Sequence, residues 1–358
     1  MLLRFLLVFL LLAGTGFSQT FTGMIDGYYS GNFAKPPSRT NALRAFDINH
    51  NEFSLNYAEL AIEQKAEPVG FRVDLGFGDA AKVVHATEPA CQTPALSSCT
   101  FYQHLQQAYL TGTKNKLTID FGKFVTQHGA EVIETKDNWN YSRSLLFTWA
   151  IPFYHFGVRA TLAASDKVSL LATLTNGWND VKDNNSGKTV GLQAVVKPGK
   201  LTWVANYMFG NETSGSGGPV RHLIDSTATF DLSKQVSLMA NYDYGMDRTG
   251  PKLDRVRWQG IAAYGKFSPT SKIKLIPRYE WFGDTQGFMT LTAQNLQEFT
   301  FTSQFVAHED LSLYAEYRHD WSNKTPFEGR DIFERPKPED KQDTLIVGVV
   351  YTFTKGGK

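Results

Sequence analysis

The chain has 358 residues, 42% of them hydrophobic, and carries 36 Lys and Arg against 35 Asp and Glu. A balance so near neutral, with no Lys/Arg block, leaves no electrostatic footprint for nucleic acid. Past residue 18 no run approaches the roughly 18 apolar residues of a transmembrane helix, while 26 Phe, 15 Tyr, 7 Trp and 30 Gly suit a chain of strands and turns.

The opening stretch, MLLRFLLVFLLLAGTGFS, holds one early cation, Arg4, then an apolar run over 5–13 and small residues ahead of Gln19. Gly16 and Ser18 occupy the −3 and −1 positions of a cleavage site, so residues 1–18 are expected to be a secretory signal peptide. The apolar core is short for an anchor helix. Its removal takes away one basic residue and no acidic one, leaving a mature chain of zero net charge.

Downstream, apolar and polar residues alternate with period 2 in segments of about ten residues bounded by turn residues. PVGFRVDLGFGD sets Val69, Phe71, Val73 and Leu75 against Arg72 and Asp74. KQVSLMANYDYG and DLSLYAEYRHDW repeat the pattern. Sixteen such segments are expected, at 22–33, 51–64, 68–78, 101–111, 116–126, 155–164, 167–178, 188–197, 200–210, 222–232, 235–245, 256–267, 272–284, 296–306, 310–321 and 342–353. In the second, the apolar phase slips between Tyr57 and Ala58, which predicts a bulge. Between the third and fourth, CQTPALSSC places Cys91 and Cys99 eight residues apart, and in an oxidising compartment they are expected to close a small disulfide loop.

Seven short connections, such as KAEP, GTKN and KPGK, interleave with eight long ones. That sorting by length is the asymmetry of an all-β transmembrane antiparallel barrel of the outer membrane, with short periplasmic turns and long extracellular loops. A soluble β-sandwich has little reason for it. The last segment, DTLIVGVVYTF, brings Leu345, Val347, Val349, Tyr351 and Phe353 to one apolar face ending in aromatics, as at a membrane interface.

Sixteen tilted strands enclose an aqueous channel. The faces opposite the apolar stripes carry Arg72, Asp74, Asp120, Arg159, Asp225, Asp243, Arg278, Glu280, Glu316, Arg318 and Asp320. In a dry core each unpaired charge costs several kcal/mol, so a wet lumen is expected. The third long connection, 127–154, drops the alternation altogether and contains HGAEVIETKDNWNYSRSLLFTWAIPFYH. A connection this long is seldom structureless. Folded inward, its aromatics would pack on the wall, and it would present Glu131, Glu134, Lys136, Asp137 and Arg143 to the channel. The expected constriction sets loop acids Glu131, Glu134 and Asp137 against wall cations Arg72, Arg159, Arg278 and Arg318, a device that selects by charge. An outward loop capping the mouth or touching a neighbouring barrel is the alternative.

Together, DGYYSGNF, EFSLNYAELAIE, PVGFRVDLGFGDAA, DFGKFVTQHGAEVIETKDNWNYSRSLLF, AIPFYHFGVRAT, NGWNDVKDNNSGKTVGLQ and SLMANYDYG resemble the putative β-barrel porin-2, OmpL-like family over nearly the whole mature chain. The resemblance implies an outer-membrane porin and brings no functional residues with it.

Other chemistry is thin. NSGKT has Lys182 where a phosphate loop needs its first glycine, and SGSGG is a loop tip. The eight histidines show no metal-ligand spacing, and no cofactor is expected. DVKDNNSG offers Asp180, Asp183 and Asn185 as weak Ca²⁺ ligands but lacks the spacing of a dedicated site, which favours an ordinary polar turn. A rim enzyme built on His128, His155, Ser142 and Asp137 has no support in the spacing. The expectation is a diffusion channel for small hydrophilic solutes and ions in outer-membrane lipid, with a homotrimer as one possible assembly. A substrate-specific channel for sugars or apolar molecules, and a plugged structural or enzymatic barrel, are the alternatives.

Overall fold

The computed structural model describes residues 19–91, 101–215, 217–250 and 252–356. The expected signal peptide and Cys99 lie outside the described residues; Cys91 ends a short 3₁₀ turn at Pro89–Cys91.

All sixteen expected segments are strands. They run β1 (Gln19–Asn32), β2 (Phe53–Gln64), β3 (Val69–Phe77), β4 (Leu105–Lys114), β5 (Leu117–Val125), β6 (Tyr154–Ser165), β7 (Val168–Thr175) and β8 (Thr189–Val196). There follow β9 (Leu201–Asn211), β10 (Val220–Asp231), β11 (Val236–Thr249), β12 (Asp254–Phe267), β13 (Ile273–Asp284), β14 (Gln294–His308) and β15 (Leu311–Ser322). A small hairpin, β16 (Phe327–Arg330) and β17 (Pro336–Glu339), decorates the last long loop before β18 (Lys341–Gly356). Each barrel strand pairs antiparallel with its neighbours, and β18 returns to β1 to close the ring.

Closure satisfies every ladder without an edge, the condition for crossing a bilayer with strands. The alternation then sorts side chains by face. On β12, Trp258, Ala262 and Tyr264 are buried inward while Ile261 and Phe267 are exposed outward. Ile25, Leu110 and Val347 are more than half exposed on the outer wall, where lipid replaces water. At the loop end of that wall Tyr29 lies against Phe53 and Tyr279 against Trp321, as in an interfacial aromatic girdle.

Two local departures from the expected pattern have physical causes. The bulge falls at Asn56, one residue earlier than expected, because Asp26 pairs with Tyr57 and Gly27 with Leu55. The extra residue is put to use: Asn56 Nδ2 donates to Asp26 Oδ2 at 2.6 Å. In the fourth segment, residues 101–104 are helical instead of extended. There His104 stacks on Phe77 and bonds the Gly76 carbonyl through Nδ1 at 3.0 Å, drawing the chain back over β3.

The packed core lies inside the barrel. Phe46 from the first long loop, Ala80 and Ala81 from a short helix α1 (Asp79–Val84), and Tyr141, Leu146 and Phe147 from the third loop meet Tyr28, Trp258, Tyr264 and Phe282 of the wall. The lumen is therefore partly filled by loops. It is not wet along its whole wall, as the strand charges alone suggested.

Candidate functional site

The third loop leaves β5 and returns to β6 through a closed neck, Thr126 N to Phe153 O at 2.9 Å. Between these points it runs along the inner wall, where its backbone needs partners that water would otherwise supply. The wall provides them by charge type. Carboxylates take loop N–H groups: Glu316 accepts from Tyr141 N and Ser142 N at 2.8 and 3.0 Å, and Glu280 from Leu145 N and Leu146 N, both at 3.1 Å. The second pair caps a short helix, α2 (Leu145–Trp149), whose N-cap Ser144 also accepts from Phe147 N. Guanidiniums take loop carbonyls: Arg278 donates to Ser142 O at 2.7 Å and Arg318 to Arg143 O at 2.6 Å. Asp26 accepts from Tyr141 Oη and Thr135 Oγ1, each at 2.6 Å.

Within the loop, Arg143 donates to the carbonyls of Val132, Tyr141 and Ile133, and Asn138 clips Val132 to Glu134. Glu131 joins loop to wall, accepting from Ser144 N at 2.7 Å and from Arg278 Nη1 at 2.8 Å. The wall row behind it comes from strand register: Glu280, Glu298 and Asp320 are cross-strand partners on β13–β15, one step from Arg278, Thr300 and Arg318. Arg278 and Arg318 both pair with Glu298. The same row holds the first loop, since Asp320 pairs with Arg44 at 2.6 Å and Arg44 with Asp47 at 2.5 Å.

These contacts divide the expected site residues. Arg278 and Arg318, expected to line the open pore, have side chains 0% and 1% exposed beneath the loop. Arg143, expected to face the channel, is buried, and Glu131 is consumed by its ion pair. The reason is shared: a loop laid on a wall has carbonyls and amides to satisfy, and these groups satisfy them. Asp74, Asp120, Asp225, Asp243, Glu280, Glu316 and Asp320 are likewise buried, not solvated.

Arg72 and Arg159 differ. Arg72 is partly exposed beside Asp74 at 2.9 Å and Glu63 at 3.4 Å. Arg159 pairs with Asp120 at 2.8 Å and lies over the rings of Tyr109 and Phe124. From the loop, Glu134 is half-buried and Asp137 is exposed, with Lys136 as its ion-pair partner. Two inward lysines that the sequence reading passed over, Lys266 over the Trp139 ring at 4.2 Å and Lys274, have no carboxylate partner among the described residues.

The imagined rim group is not assembled. His155 bonds Thr126 and the Gly177 carbonyl, Ser142 sits on Glu316 and Arg278, and Asp137 pairs with Lys136. Near the mouth, α1 brings His85 to Lys123, whose Nζ also donates to Leu105 O at 2.6 Å. Burial, and then the Lys123 cation, push His85 down to about 3, so it is neutral.

Solved structures share this architecture at low identity. OmpT of Vibrio cholerae in its trimer form is 12% identical with a TM-score of 0.63, the match covering 94% of this chain and 99% of that one. An anion-selective porin from Comamonas acidovorans is 9% identical, TM-score 0.62, covering 94% and 99%. The outer membrane channel DcaP of Acinetobacter baumannii is 11% identical, TM-score 0.58, covering 94% and 97%. No curated protein sequence matches the chain. The family model described as "Putative beta-barrel porin-2, OmpL-like" matches residues 18–353, which take in nearly the whole barrel. The chain belongs to that family and is an outer-membrane β-barrel porin.

Proposed function

We propose that the protein passes small hydrophilic solutes and ions down their gradients, through a lumen narrowed by the third loop between Glu134 and Asp137 on one side and Arg72 and Arg159 on the other. The observation that carries this reading is the ladder of loop-to-wall hydrogen bonds, which hold the loop against β11–β15 and β1 and leave the wall of β3–β6 facing it. The groups left accessible are charged and polar, which suits hydrated solutes better than apolar ones. Lys266 and Lys274, without acidic partners, support a weak preference for anions.

Export by a cleaved 1–18 leader and assembly as a homotrimer complete the reading. The leader rests on its charge, apolar core and cleavage pattern; the trimer rests on the similar OmpT structure, which is a trimer form.

Single-channel recording of refolded protein in planar bilayers tests the reading. Steady conductance steps with a small anion preference are expected. Silence from a barrel shown folded by heat-modifiable gel mobility would mean a plugged lumen.

A further inference from the structure

Residues 176–188 and Glu212 meet at the mouth around a cavity of about 260 Å³, with Thr87, Asp180, Asn184, Glu212 and the Arg221 guanidinium on its polar side and Trp178 and Phe288 on its apolar side. Asp180 is 3% exposed, and its Oδ2 has no hydrogen-bond partner. A buried, unsatisfied carboxylate oxygen is costly and calls for a compensating group.

Glu212 faces it. The position a Cβ on Gly177 would take is 2.9 Å from Asp180 Oδ2 and 2.9 Å from Glu212 Oε2, so the two oxygens flank one gap that the glycine keeps clear. Glu212 is held in place by Trp178 N at 2.7 Å and by Thr189 Oγ1 at 2.6 Å. The two cations at hand are already engaged, Arg221 with Asp247 at 2.8 Å and Lys188 with Asp183. Burial, and then the charges of Glu212, Glu88 and Asp183, push Asp180 up to about 8, with Arg221 opposing weakly.

We propose that this cavity binds a divalent cation at the channel mouth, with Asp180 and Glu212 supplying carboxylate oxygens. Its carboxylate, carboxamide and hydroxyl oxygens favour a hard ion of the Ca²⁺ type over a transition metal, and the Arg221 guanidinium that also lines the cavity is paired with Asp247. The Asn184 carboxamide and Thr87 hydroxyl add neutral oxygens, and water completes the shell. The site is not the one suggested by DVKDNNSG alone. Asp183 is engaged by Lys188 and Asn185 N, and Asn185 Oδ1 accepts from Gly187 N at 2.7 Å, so the second carboxylate comes from the next loop. An ion there fastens three loops together. With two carboxylates, affinity is expected in the weak range of extracellular Ca²⁺ modules, Kd on the order of 10⁻⁴–10⁻³ M.

Trp178 adjoins the gap and makes Tb³⁺ a suitable probe. Full-length refolded barrel, freed of metal with a chelator, is titrated with Tb³⁺ under tryptophan excitation and then with Ca²⁺. The expected result is a saturable emission, displaced by Ca²⁺. It should weaken at least tenfold in Asp180→Asn, which mimics the protonated acid and leaves the fold intact, and in Glu212→Gln. No saturable emission, or emission equal in both variants and the parent, overturns the proposal. Channel conductance is read on the same samples, so failure here is distinguishable from failure of the porin reading.

Discussion

Arg278 and Arg72 stand on one inner wall with one charge, yet only the second meets solvent. Replacing Arg72 with Ala removes a half-exposed cation and leaves the loop ladder untouched. Its reversal potential in a salt gradient is expected to move toward cations, by a permeability-ratio change on the order of two- to fivefold, as about 0.4–1 kcal/mol of screened charge implies. An unchanged potential would remove Arg72 from the constriction. His85 titrates with the opposite sign from a salt-bridged histidine. It is neutral in the folded barrel, whose value lies near 3, whereas the unfolded group protonates near 6.5. Its contribution is thus complete above about 6.5 and is lost as pH falls toward 3. The unfolding temperature should drop between pH 7 and 4, and by less in His85→Gln, where the side chain cannot charge. Residue roles were the least legible part of the sequence. Glu316 and Arg318 look the same as solvated charges until the register shows them beneath a loop.

Among elements, the strands were legible because a period of two survives in every one of them, down to a bulge misplaced by one residue at Asn56. The loop's inward course is signalled in the sequence only by its length and aromatics. What pins it, Arg278 and Glu280 on β13 with Glu316 and Arg318 on β15, is a cross-strand grouping that no single segment contains. Removing one member tests the pinning. Arg278→Ala leaves Glu131 and Glu298 short of a partner and frees the Ser142 carbonyl, a loss of about 3–5 kcal/mol for a buried charge pair. The barrel should still close, since the ladders are untouched, while conductance rises and grows noisy. Conductance identical to the parent would show that the loop does not set the narrowest point.

For the whole molecule, the expectations concern export and assembly. Mass spectrometry of protein from the outer membrane should find Gln19 or its cyclised form at the N-terminus, and native gels of mild detergent extracts should show three copies. Fold class, strand number and loop asymmetry were all legible at this scale, because a closed barrel has few ways to distribute sixteen alternating segments. The filled part of the lumen was not, since the alternation records which face is inward without recording what lies against it.

The seam between β1 and β18 has a consequence for how the barrel comes into being. Its partners are separated by most of the chain; Asn32 meets Gln342 across 310 residues. Every other seam joins strands consecutive along the barrel, so the fifteen other seams can assemble from local contacts while this one waits. Until the final strand arrives, the first presents a row of unpaired amides and carbonyls, the template on which wrong chains add. Docking of β18 on β1 is the step that ends the wall's exposure to aggregation.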